Sequence, residues 1–165
     1  MKIHVLKMSL ALLALGVFVN ISVLAQDSRE NGKQIEGTWS IVTTNRDCAT
    51  GELGRTFPAM ETFARGGTTL EFSLGAATSG QTPLGNRTTS QGIWRYVANG
   101  VYSSASMNFR FDSLNVYMGW TRRDAEIVLS DDGNSFTSTG TERFYNSANI
   151  LTGTRCNNQA GTRFE

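Results

Sequence analysis

The chain has 165 residues, 18% of them charged, and a formal net charge of +1 at pH 7. Near-neutrality removes the basic footprint that nucleic-acid binding needs. The single histidine, His4, lies in an export-type N-terminal segment, so the mature chain lacks imidazole for triads, general bases or histidine-containing metal sites.

Residues 1–25 read as a cleaved signal peptide. Lys2 and Lys7 form a basic n-region, Met8–Leu24 is largely apolar, and Val23 and Ala25 occupy the small-residue positions before a cut at Gln26. A membrane anchor is the competing reading, disfavoured by the short span. The expected location is secreted or periplasmic, with no stable membrane insertion after cleavage. Residues 26–34 read as a disordered N-terminal segment, and 35–165 as one β-barrel domain. Lys33 is the one lysine beyond the signal segment, too far forward for a buried Schiff base.

The expected strands follow in chain order. The first spans Ile35–Thr44, with Ile35, Gly37, Trp39 and Ile41 on one face. A loop with Cys48 leads to a second strand at Ala59–Arg65, and Gly66-Gly67 turns the chain into a third, where Leu70, Phe72 and Leu74 alternate with polar residues. Gly75–Ser90 is a long polar loop, read as disordered or functional, with a glycosylation-type Asn86-Arg87-Thr88.

Asn99-Gly100 is a type I′ hairpin dipeptide between Gly92–Ala98 and Val101–Phe111. Trp94 and Tyr96 share a face on one arm, and Met107, Phe109 and Phe111 share a face on the other. Leu114, Val116, Met118 and Trp120 continue the alternation, which slips near Arg122–Asp124 and resumes at Ala125, Ile127 and Leu129. Such a slip predicts a β-bulge. Phe136–Tyr145 and Ile150–Glu165 complete about eight strands in sequential hairpins. The fold class is therefore all-β, a single antiparallel up-and-down barrel, since closure removes exposed sheet edges.

Cys48 and Cys156 read as one disulfide in an oxidising compartment, against the alternative of a reactive thiol with nothing nearby to lower its pKa. Placing them opposite one another predicts a seam between the first and last strands, with Ile41 facing Arg163 and Trp39 near Glu165.

Gly37-Thr38-Trp39, a meander and a late arginine, Arg163, resemble the lipocalin/calycin superfamily. The resemblance implies that Gly37, Trp39 and Arg163 close the barrel base. Trp39–Thr43, Arg55–Pro58, Ser130–Thr139 and Thr162–Glu165 are also similar to uncharacterised exported bacterial proteins of similar length, which bring no assigned activity.

An eight-stranded barrel has a lumen that side chains fill or that holds one small molecule. Trp94, Tyr96, Met107, Phe109, Phe111, Met118 and Trp120 are the candidate lining, and Arg122 the candidate fork for an acidic head group. Packing, or an Arg122–Asp124 surface pair, is the plain alternative. Glu61, Glu71 and Glu142 would do acid–base work only if two converged. Asp131-Asp132-Gly133-Asn134 lacks calcium-loop spacing, and no metal or cofactor is indicated.

Three functions stay open. The first is non-catalytic binding of a small, partly apolar or acidic ligand. The second is a histidine-independent barrel enzyme resembling allene oxide cyclase, with Tyr96, Tyr102 or Glu142 meeting in a cavity. The third is a structural or protein-binding envelope module whose protein partner is unknown.

Overall fold

The computed structural model describes residues 35–73 and 87–164. The expected signal peptide, residues 26–34, most of the 75–90 loop with Asn86, and Glu165 lie outside them. Eight strands form: β1 (Gly37–Arg46), β2 (Leu53–Ala64), β3 (Thr68–Ser73), β4 (Ser90–Ala98), β5 (Val101–Phe111), β6 (Tyr117–Leu129), β7 (Ser135–Asn146) and β8 (Leu151–Arg163). Each pairs antiparallel with its sequence neighbour, and β1 pairs with β8, so the sheet closes into a single eight-stranded antiparallel barrel, an architecture compatible with a calycin-like fold. There is no helix among the described residues.

The Asn99-Gly100 turn has φ of 50° and 77°, the double positive φ that a type I′ turn needs. β2 begins at Leu53, six residues before the start that alternation predicts. Leu53–Pro58 carries no apolar alternation, and proline argues against a central strand. Pro58 is accommodated because it pairs with Val42 of β1 just beyond the first described β2–β3 pair, Ala59 with Ser73.

The seam register sits two residues from the predicted one. Trp39 faces Arg163 and Ile41 faces Gly161, with Arg46 opposite Cys156. Cys48 lies beyond the end of β1 and reaches back to Cys156, with Cα atoms 5.0 Å apart. The disulfide therefore joins positions that are not register partners.

The bulge expected at Arg122–Asp124 is absent. Met107, Ser106, Ala105 and Ser104 pair in unbroken order with Arg122, Arg123, Asp124 and Ala125. The slip in alternation has another cause. Along β6 the buried residues are Gly119, Thr121, Arg123, Ile127 and Leu129, so the lumen changes from polar to apolar without a break in the strand.

The apolar end is a plug of Ile35, Trp39, Ile41, Phe63, Tyr102, Ile127, Leu129 and Phe136. Trp39 and Phe136 meet edge-on at 5.0 Å, and Phe63 packs edge-on against both Phe136 and Trp94. Buried indoles need a partner for N–H; Trp39 Nε1 donates to the Ile35 carbonyl at 2.8 Å and Trp94 Nε1 to the Ala64 carbonyl at 3.0 Å. Arg163 covers this end. Its guanidinium lies 4.4 Å from the Trp39 ring and donates to the carbonyls of Glu36 and Gly133. A Cβ on Gly37 would fall 2.9 Å from Arg163 Nη1, so the absent side chain is what lets the arginine in.

Candidate functional site

Beyond the plug the inward positions are mostly polar, Phe57 beside Thr43 being a buried exception. Thr43, Asn45, Glu61, Thr69, Glu71, Ser90, Asn108, Thr121, Arg123, Ser138, Glu142, Asn157 and Gln159 are all buried. They come from every strand: on most of them the inward parity passes from apolar to polar along the barrel axis, while β3 is polar throughout and β2 sets Glu61 between Ala59 and Phe63.

Arg123 organises this chamber. Its Nε donates to Asn157 Oδ1 at 3.1 Å, and Nη2 donates to Ser138 Oγ and Gln159 Oε1, both at 2.8 Å. Gln159 passes the chain on to Thr43 Oγ1. Gly140 faces the same space. A Cβ there would sit 2.9 Å from both Arg123 Nε and Asn157 Oδ1, so glycine is required for close approach.

Glu61 accepts from Thr69 Oγ1 at 2.9 Å, while its second oxygen has no partner. Burial first, then the like charge of Glu71, pushes its carboxyl up to about 7, against the pull of Arg123 and the Thr69 bond. Glu71 is held by Arg87 at 3.2 Å, and Arg155 pairs with Glu142. Both arginines remain partly exposed at the polar end, where Arg110 and Arg155 lie against the Phe144 ring. Several further buried atoms have no hydrogen-bond partner: Asn45 Oδ1, Ser73 Oγ, Asn108 Oδ1, Asn157 Nδ2 and Arg110 Nε.

The Glu61 shift carries a signed prediction. Its folded value lies above the ordinary 4.5, so folding favours the neutral acid. Its stabilising contribution is complete below pH 4.5 and is lost as pH rises through about 7. Glu61→Gln is therefore expected to leave stability at pH 4 nearly unchanged and to raise it by about 2–3 kcal/mol at pH 8. Urea unfolding midpoints of both proteins from pH 4 to 8 test this. Parallel curves would show that Glu61 does not titrate in that window.

The sequence-derived lining is divided by the structure. Trp94 faces inward at the edge of the plug, and Tyr96 stacks edge-on against the plug residue Tyr102. Met107, Phe109, Met118, Trp120 and Arg122 occupy the outer wall, and Phe111 packs there against Tyr117. Placing them in the lumen is corrected by parity: their neighbours Asn108, Thr121 and Arg123 are the buried set. Arg122 forks onto Asp124, which also accepts from Arg143. Arg122 and Asp124 line an outer hollow of about 720 Å³ together with Arg46, Arg95, Ala105 and Thr139.

Tyr96 and Tyr102 are at the apolar end, whereas Glu142 is in the polar chamber, so the three do not meet. Among the described residues, no three His, Cys, Asp or Glu side chains gather to hold a metal ion. Arg123, Asn108, Asn157 and Gln159 were not singled out from sequence. The available signal was weak: polar residues at one parity of a strand whose other parity is apolar look like a solvent face.

Comparison of the chain with protein-family models, curated proteins and solved structures finds no match.

Proposed function

We propose that this is an exported, non-catalytic barrel that binds a small amphiphile, the polar head group lying in the chamber around Arg123 and Glu61. The observation that carries the reading is the set of buried donors and acceptors without partners, Asn45 Oδ1, Glu61 Oε2, Ser73 Oγ, Asn108 Oδ1 and Asn157 Nδ2. Burying such groups unpaired costs about 1–3 kcal/mol each, so a guest or ordered water belongs there. A head group with both hydroxyl-type donors and an acidic acceptor suits the mixture of amide, carboxyl and guanidinium groups. The disulfide supports export to an oxidising compartment. The Gly37–Trp39–Arg163 closure supports kinship with calycins.

Native mass spectrometry of mature protein purified from its host, followed by extraction of any bound compound, tests the reading. The expected result is a retained small-molecule mass that disappears in Asn108→Leu and in Asn157→Leu. A bare protein mass, with only ordered water in the chamber of a crystal structure, would overturn it.

A further inference from the structure

The two ends of the barrel differ in chemistry. At the apolar-plug end the turns are built from Arg65, glycines, Asn99, Asp131, Asp132 and Asn134, and the exposed hydrophobics there, Val97 and Phe164, lie beside the turns and not at their tips. At the polar-chamber end the β5–β6 and β7–β8 tips carry exposed aliphatic residues, Leu114 and Val116 in the first and Ile150 and Leu151 in the second, while the β1–β2 tip, residues 47–52, is polar and acidic and is followed by the exposed Leu53 of β2. Leu114 is 80% exposed. Single exposed aliphatic residues are ordinary, but two neighbouring residues on each of two tips at the same end are the pattern of an interaction surface.

The outer wall below these tips is layered. After Val116 and Met118 comes Trp120, stacked on Tyr145 with centroids 4.1 Å apart and its Nε1 donating to Asn149. Two residues further along the same face comes the register pair Arg122–Arg143. Each step of two residues is about 6.6 Å along the strand, or about 5 Å of depth at the tilt usual for barrel strands. The two guanidiniums share one carboxylate, Asp124, which leaves a net positive charge. The Asp112 carboxylate is turned inward on its own loop, accepting from the N–H groups of Leu114 and Val116.

Aliphatic tip, aromatic belt and cationic layer follow the depth order of a bilayer interface: hydrocarbon, head-group boundary and anionic phosphate. We infer that this end of the barrel docks on an anionic lipid bilayer, with the β5–β6 and β7–β8 tips entering the acyl boundary. The surface is the outside of a curved wall and separate loop tips, which a deformable membrane covers without shape complementarity. Insertion across the bilayer is excluded by the outer faces of β7, β8 and β1, where Thr137, Thr139, Thr152, Thr154, Asn158 and Ser40 are exposed. This inference goes beyond lumen binding and does not depend on it.

The test is co-sedimentation of the mature protein with vesicles of phosphatidylcholine containing about a third phosphatidylglycerol, and with phosphatidylcholine alone. Binding to the anionic vesicles is expected, with a blue shift of tryptophan emission and weakening as salt rises. Leu114→Asp/Val116→Asp and, independently, Ile150→Asp should each lower affinity at least about tenfold with unchanged melting temperature. Arg122→Gln/Arg143→Gln should remove the preference for anionic vesicles. No binding by the unmodified chain would overturn the inference. So would binding indifferent to the tip variants, or a concentration-dependent dimer that those variants dissolve.

Discussion

Arg123→Ala is expected to destabilise the barrel by about 3–5 kcal/mol, the largest effect of any single polar substitution in the chamber. The guanidinium is buried and serves acceptors on two strands, Ser138 on β7 and Asn157 and Gln159 on β8. Removing it leaves three buried oxygens unpaired at once, and it removes the cation that opposes the raised Glu61. Water entering the gap would recover part of the loss, which is why the expected range stops short of a full charge-burial penalty. A double-mutant cycle separates the two contributions. Arg123→Ala combined with Glu61→Gln should be less damaging than the sum of the single changes at pH 8, where Glu61 is ionised. Urea unfolding with a common slope is the measurement. A cost below about 1 kcal/mol for Arg123→Ala would mean that the network is hydrated already and organises nothing.

Cys48→Ser/Cys156→Ser is expected to cost about 3–5 kcal/mol. The crosslink spans 108 residues, and the strands it adjoins, β1 and β8, form the longest-range pairing in the molecule. In the chain-entropy account, a cross-link over so long a loop removes most of what the unfolded chain would otherwise gain by separating its ends. The seam is otherwise held by the β1–β8 ladder and by Arg163. Scanning calorimetry of the oxidised protein against the double serine variant should show a melting temperature lower by on the order of 10 °C. An unchanged melting temperature would place the stability of the seam in the ladder and the plug alone.

Much of the architecture was legible from residues. Period-two alternation located eight strands, Asn99-Gly100 fixed one hairpin, and sequential turns with no crossover implied an up-and-down meander. Closure is legible in the need to remove sheet edges and in the cysteine pair, whereas the roles of Gly37, Trp39 and Arg163 come only with the calycin resemblance. The site was far less legible. On β5, alternation points Met107 and Phe109 into the lumen, because apolar side chains usually face a core. The structure buries Asn108 between them instead. On β6 a change in lumen chemistry imitated a bulge, since a strand whose inside passes from polar to apolar shows the same one-residue slip as an inserted residue.

By itself the sequence determined a meander of β-ribbons, its tight turns, and a sulfur link between its first and last ribbons. Only the tertiary structure decided which parity of each ribbon is the inside. Alternation is symmetric between the two faces, and that symmetry is broken only when the ribbons assemble, setting Arg123 of β6 against Ser138 and Asn157 from β7 and β8, and when closure sets Gln159 of β8 against Thr43 of β1. Hydrogen bonds among several strands exist only once those strands are assembled, and the Gln159–Thr43 bond only once the barrel closes, so no local pattern could announce a polar chamber behind an apolar wall.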